Sequence, residues 1–241
     1  MQEYYGESAK RYGQTRGKRL LLMPAIGRHL PRAENDSTLL DVGCGNGDLY
    51  SMSIEKGYRY SGFDISDDML ERARADFPQG VFEKGDATRL TNIFREKFDI
   101  VVVSMLFPSL GSKENIINVL RECNTVMKEG GHTIIAVTHP SFDHYMQSNL
   151  FQRKDVEANF KGYFESGSRF TANQTINDLP FTFEDYHWTM ADYVSAIDIA
   201  GLRIRKIDEC RSVSETLSAD DTEWAASRDR FPTYCVIVAS R

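Results

Sequence analysis

Apolar and polar positions follow two rhythms that take turns along this chain. Short apolar runs read as strands: "STLLDV" (37–42), "YRYSGFD" (58–64), "VFEKGD" (81–86), "KFDIVVVSM" (97–105) and "HTIIAVTH" (132–139). Between them the spacing turns helical. Residues 46–56 predict one helix, and Ser66 predicts the cap of another that reaches about Asp76. Asp67 and Asp68 stand in its first turn, where the helix dipole favours anions. Ser112 predicts the cap of a third, with Ile116, Ile117, Leu120, Cys123 and Met127 on one stripe and Gly130-Gly131 as its stop. The run at 97–105 is almost continuously apolar, as in a strand covered on both faces. Strands alternating with helices predict an α/β fold, doubly wound around a mostly parallel sheet.

The pattern breaks between His139 and Met190, where no long periodic segment stands out. It resumes at "TMADYVSAIDIAG", where Thr189 and Asp192 form a capping box and Gly201 supplies the stop. "LRIRKIDEC" (202–210) and "TYCVIVASR" (233–241) bring the expected sheet to seven strands. Residues 18–30 also read as helical, but Pro24 inside them predicts a kink or a break. The expectation is a single domain over 1–241, with a helical cap at 1–30 and an insert at 139–190. That insert holds eleven aromatic residues in 52 positions, about twice the density of the rest. A solvated linker would not carry them, so a lid over a small, flat or apolar ligand is expected, with some rings forming the lid's own core.

Composition narrows the function classes. The net charge is −6, and no lysine or arginine run announces a grip on nucleic acid. Cys44, Cys123, Cys210 and Cys235 are scattered with no CxxC pair, which speaks against a zinc ribbon and for free thiols in a reducing compartment. "MQEYYGESAK" lacks a signal-peptide core, and the longest apolar-rich run, Phe98 to Phe107, is about half of a membrane span. A cytoplasmic protein with no membrane or nucleic-acid partner is expected, as a monomer or homodimer.

The stretch "LLDVGCGNGDLY" sets three glycines into five residues behind an apolar strand. A strand, a glycine-rich turn and a helix cradle nucleotide-like ligands, because bare backbone lets the ligand approach. Asp64 ends the next strand, twenty-three positions after Asp41, where a carboxylate meets ribose hydroxyls. Dinucleotide folds use G-x-G-x-x-G; here Gly43, Gly45 and Gly47 give G-x-G-x-G, with Asp48 where the last glycine would stand. A carboxylate there repels a pyrophosphate and tolerates a cationic ligand such as S-adenosylmethionine, which has a sulfonium and no phosphate.

With these residues the chain resembles the class I S-adenosylmethionine-dependent methyltransferases of small-molecule type. The resemblance rests on "LLDVGCGNGDL", "GFDIS", "KGDATRL", "FDIVVVSM" and "MKEGGHTII", five motifs in order over about residues 38 to 138. It implies that Asp41, Gly43, Cys44, Gly45 and Asn46 border the methionine part and ribose, and that Asp64 binds both ribose hydroxyls. Ile65 and Met69 would touch the adenine, Asp86 would accept from its amino group beside Ala87, and the Ser104 and Met105 backbone would pass the sulfonium. "YYGESAKRYG" resembles the opening of many small-molecule members, making Tyr4, Tyr12 and Arg16 cofactor-side candidates.

Simpler readings stand beside these. Asp41 fits a polar strand end, Asp64 a helix cap, Asp86 a turn residue, Tyr4 and Tyr12 amphipathic anchors, and Cys44 a small filler. On the acceptor side, His139 in "THPSFDHY" follows the fifth strand, at the sheet edge where open α/β folds bind ligands, and is a candidate general base. A loop histidine bonded to backbone fits it equally. His187 in "DYHWT" is the second catalytic candidate, against a capping or surface role, and Tyr5, Tyr145 and Tyr186 are further acceptor-side candidates. His139, Asp143 and His144 resemble a metal cluster, but one short loop rarely supplies a full ligand set, so no metal is expected. The N/D-P-P-Y motif of enzymes that methylate DNA-base amines is absent after the fourth strand, where "SMLFPS" stands. The resemblance implies methyl transfer to oxygen or nitrogen of a small aromatic or heterocyclic acceptor. A tRNA or protein methyltransferase and a non-catalytic cofactor binder are the alternatives.

Overall fold

Leu39 and Leu40 are neighbours in the chain and belong to opposite layers of the molecule. In β1 (Thr38–Val42), Leu39 packs in a cluster with Tyr60, Ile100, Val102 and Ile134, while Leu40 and Val42 join Phe63, Val101, Val103 and Ile135. Strand alternation sorts every apolar residue to one face or the other. In β1 and the other central strands both faces are buried, so these read as near-continuous apolar runs.

This computed structural model describes residues 17–141, 157–158, 161–176, 179–212, 218, 221–222 and 232–241. After β1 come β2 (Arg59–Asp64), β3 (Val81–Lys84), β4 (Phe98–Ser104) and β5 (Met127–Thr138). β9 (Arg203–Glu209) and β10 (Tyr234–Ser240) complete a seven-stranded sheet, ordered β3-β2-β1-β4-β5-β10-β9. β1 to β5 pair in parallel, and only β10 runs against its neighbours. The order reverses between β1 and β4, the switch point beside which open sheets of this kind bind ligands.

Helices cover both faces. A π-helical turn (Lys18–Leu22) leads into α1 (Met23–His29), which with α2 (Tyr50–Glu55) and α3 (Asp67–Asp76) packs on one layer. Pro24 sits in the first turn of α1, and the chain stays helical from Lys18 to His29: a π-helical turn precedes the proline where a kink or break was expected. α4 (Lys113–Val126) and α5 (Met190–Ile199) cover the other layer. The caps are those expected: Ser66 on Met69 N–H, Ser112 on Asn115 N–H, and the Thr189–Asp192 box.

Three expectations need correction. The helix expected from Asn46 begins at Tyr50, because Gly45 and Gly47 take positive φ and the chain turns through them. Gly130-Gly131 does not end α4. The helix stops at Val126, and the two glycines lie inside β5, where residues 128–131 bulge opposite Asp99. A Cβ on Gly131 would sit 2.7 Å from the Asp99 carbonyl oxygen, so the bulge needs glycine there. The segment 139–190 is not without regular structure. β6 (Glu157–Ala158), β7 (Arg169–Ile176) and β8 (Leu179–Tyr186) form a small antiparallel sheet in the order β6-β7-β8. Pro180 and the polar content of β7 hid that hairpin from the apolar pattern.

Candidate functional site

The turn that follows β1 is held open by three glycines for two different reasons. All have φ in the left-handed region, at +76° for Gly43, +55° for Gly45 and +83° for Gly47. A Cβ on Gly43 would lie 3.2 Å from the Leu106 side chain, and one on Gly47 would lie 3.1 Å from Phe77. Those two positions are bare because protein packs against them. A Cβ on Gly45 would meet only the Met69 sulfur, at 3.9 Å. The space over Gly45 is therefore left for something other than this chain's described residues.

Asp64 borders that space. Its Oδ2 accepts the Gly45 N–H at 2.8 Å and its Oδ1 accepts the Ser66 N–H at 2.9 Å. These N–H bonds fix the carboxylate between the turn and α3, and its remaining lone-pair capacity is open to a ligand hydroxyl. Burial raises its pKa, and the N–H bonds from Ser66, Gly45 and Ile65 work against that rise. Ile65, the residue after Asp64, is 62% exposed, unusual for an isoleucine, while Met69 is buried. Cys44 is a buried filler whose thiol burial keeps protonated, with Asp41 and Asp64 adding to the effect. Asn46 is half-buried in the same turn.

Asp41 lies beneath the turn, 2% exposed. Tyr60 donates its hydroxyl proton to Oδ2 at 2.9 Å, and Oδ1 is buried without a hydrogen-bond partner. Burial pushes the Asp41 carboxyl up to about 7; the Tyr60 bond and Lys18 pull it down, and Asp48 and Asp64 push it further up. Lys18, from the π-helical turn, forms an ion pair with Asp48. Asp48 is thus not the unpaired carboxylate assumed in arguing against a pyrophosphate.

β4 exits beside this turn. Met105 takes φ +58°, rare for a residue with a side chain, and donates its N–H to the Ala136 carbonyl at 2.7 Å. Strain of this kind collects where backbone is shaped for a ligand. Ser104, the last residue of β4, is half-buried next to it. On the other flank, exposed Asp86 caps the 3-10 turn Ala87–Asn92, its Oδ1 accepting the Thr88 N–H at 2.9 Å and the Thr88 hydroxyl at 2.8 Å. That is the turn role weighed for it in the sequence.

On the acceptor side, His139 is buried at the end of β5. Its Nε2 is 3.1 Å from Glu209 Oε1, and its Nδ1 accepts the Ser141 N–H at 3.2 Å. Burial lowers its pKa, and Glu209 opposes the fall. His187 is wholly buried, with Nε2 2.7 Å from the Tyr163 carbonyl oxygen and its ring against the Tyr163 ring. The structure thus gives His187 a hydrogen-bonded place inside the protein. Tyr186 is half-buried, its ring against Gly111, and Trp188 donates Nε1–H to the Leu110 carbonyl at 3.2 Å, tying the end of β8 to the loop after β4. Tyr4, Tyr5, Tyr12, Arg16 and Tyr145 lie outside the described residues, as do Asp143 and His144.

Residues 39–131 match the family model described as a methyltransferase domain. Over that span, from β1 into β5, the chain carries a methyltransferase domain. Over 185 residues it is 23% identical to the N-demethylindolmycin N-methyltransferase of Streptomyces griseus, covering 74% of this chain and 76% of that protein. In fold it is similar to the CcbJ methyltransferase of Streptomyces caelestis, with a TM-score of 0.67 at 15% identity over 98% of this chain and 97% of that one. A second fold relative is an S-adenosylmethionine-dependent methyltransferase of Mesorhizobium loti, with a TM-score of 0.64 at 19% identity over 95% and 99%. These two likenesses speak for the fold.

The methyltransferase site fits its cofactor on the chain's own geometry: free space over Gly45, a fixed carboxylate at Asp64, and an exposed apolar residue at Ile65. Three participants escaped the sequence reading. Lys18 and Glu209 come from elements far along the chain from the motifs they serve, Tyr60 reaches Asp41 from the neighbouring strand, and nothing in their local pattern marks them. Among the described residues no cluster of His, Cys, Asp and Glu could hold a metal ion, and no helix is long and apolar enough to cross a membrane.

Proposed function

We propose that this methyltransferase is a cytoplasmic enzyme that methylates an oxygen or nitrogen of a small aromatic or heterocyclic metabolite. The observation that carries the reading is a buried histidine at the end of β5, where the chain enters an insert about twice as aromatic as the rest. The relative from Streptomyces griseus is named for N-demethylindolmycin, which supports the same acceptor class.

Bound S-adenosylmethionine supplies a methyl group already activated on sulfur. The protein's task is then to align and desolvate the reactants. Asp64 orients the ribose, Ile65 and Met69 flank the adenine with Asp86 and Ala87, and the bare turn from Gly43 to Asn46 accommodates the rest beside Ser104 and Met105. Tyr4, Tyr12 and Arg16, outside the described residues, keep the cofactor-side role that the N-terminal motif implies. Tyr5, Tyr145 and Tyr186 remain the acceptor-side candidates, and His187, bonded to the Tyr163 carbonyl, fixes the base of the insert's hairpin. His139 takes the acceptor's proton where the acceptor must lose one.

Labelled cofactor incubated with the protein and a fractionated extract of the source cell tests this. Label is expected in a small-molecule fraction; label confined to RNA or protein rejects the reading. His139→Ala slows turnover on the identified acceptor at unchanged cofactor affinity, and a variant of undiminished rate removes His139 as base.

A further inference from the structure

His139 is held from two sides, and the two contacts agree on one protonation pattern. Backbone N–H can only donate, so the Ser141 N–H at 3.2 Å requires a lone pair on Nδ1. A carboxylate can only accept, so Glu209 Oε1 at 3.1 Å requires a proton on Nε2. Neutral His139 is therefore the Nε2–H tautomer. Its main-chain N–H is fixed as well, donating to the Thr233 carbonyl at 2.9 Å. Glu209 is the last residue of β9, paired with Cys235 of β10, and β10 pairs with β5. The carboxylate thus reaches His139 across two strands at one edge of the sheet. Glu209 is the charged group shown facing the imidazole among the described residues.

Resting on the proposed function, we infer that Glu209 is the positioning residue for His139, holding Nε2–H so that Nδ1 is the proton-accepting atom. The role applies where the acceptor must shed a proton, such as a phenolic hydroxyl. In that step the acceptor O–H bond breaks, its electron pair stays on oxygen, and the proton forms an N–H bond at Nδ1. The imidazolium so formed keeps its other proton on Glu209, which offsets the cost of charging a buried ring. The Ser141 N–H holds the Nδ1 lone pair until the acceptor arrives. At 3.2 Å it is at the long end of the range for such bonds, and an O–H donor displaces it.

Long-range proton–nitrogen NMR correlations on the full chain, recorded across pH, read tautomer and titration together. Five histidines are present, and His139 is assigned from the signals missing in His139→Gln. In the wild type, His139 is expected with Nε2 protonated and Nδ1 bare. Glu209→Gln keeps that tautomer, because the amide oxygen still accepts, but lowers the titration midpoint because the charge is gone. Glu209→Ala lowers the midpoint as well, and any Nε2–H preference that survives there is the share held by the Ser141 N–H alone. A wild-type Nδ1–H tautomer, or the same tautomer and midpoint in all three proteins, overturns the inference. Calorimetry with S-adenosylmethionine on the same samples separates the two ideas. Failure to bind in every sample refutes the methyltransferase reading and leaves the NMR result to judge Glu209 on its own.

Discussion

The Asp64 carboxylate accepts the Gly45 N–H at 2.8 Å, which ties the end of β2 to the middle of the glycine turn. In the proposed function the same side chain also holds the ribose. On that reading Asp64→Ala removes the turn contact and two ribose hydrogen bonds to a charged acceptor. Such bonds contribute about 1.5–3 kcal/mol each, so S-adenosylmethionine affinity is expected to fall on the order of 100-fold or more. Asp64→Asn keeps one accepting oxygen and loses less. Titration calorimetry checks both, and unchanged affinity in the alanine variant refutes the ribose role.

The two glycines on either side of Asn46 separate binding from stability. Gly45→Ala places a methyl group in the space left for the ligand, with only Met69 near it. The left-handed backbone costs about 1–2 kcal/mol, and cofactor affinity is expected to fall further than stability does. Gly47→Ala presses its methyl to 3.1 Å from Phe77 and 3.2 Å from Phe82. Strain and overpacking together are expected to cost about 2–4 kcal/mol in folding, with affinity intact in the folded fraction. Denaturation and binding curves on both variants check this. Equal loss of affinity in the two would show that the space over Gly45 is not the ligand's.

Local chemistry explains what could be read ahead of the structure. β4 announced itself because both of its faces are buried, and Ser66, Ser112 and Thr189 announced their helices because a cap is a contact within four residues. Gly43, Gly45, Gly47 and Asp64 were legible because one turn and one strand end must meet at fixed spacing. The rest depended on distant partners. Lys18 reaches Asp48 across thirty positions, and Glu209 reaches His139 across seventy. Gly130 and Gly131 look like a helix stop locally; only Asp99, on the neighbouring strand, makes them a bulge.

Asp41 couples the turn to pH. Its carboxyl is raised to about 7 by burial, against about 3.9 in an unfolded chain. Below pH 4 both states hold the proton and the group is neutral to stability. Between about pH 4 and 7 only the folded state holds it, so the unfolded state binds fewer protons and stability falls as pH rises. Above about 7 the loss is complete, on the order of 4 kcal/mol at most. Asp41→Asn carries no such charge, so it is expected to gain on the wild type steadily from pH 4 to 7. Urea denaturation at several pH values reads the difference. A gap between the two proteins that does not change with pH would show that Asp41 ionises freely in the fold.

The Lys18–Asp48 pair fastens the π-helical turn to the cofactor loop, with the lysine side chain 13% exposed and the aspartate 23%. A pair this sheltered is screened little by salt, unlike a surface pair. Lys18→Met leaves Asp48 unpaired and removes a cation that also acts on Asp41. It is expected to destabilise the fold by about 2–4 kcal/mol, since removing one partner strands the other charge. Asp48→Asn strands the lysine in turn. If the pair is direct, the double variant loses less than the two single losses added together, with a coupling of about 1–3 kcal/mol that persists at high salt. Additive losses would show that Lys18 and Asp48 act independently, and that the loop is held open by its glycines and Asp64 alone.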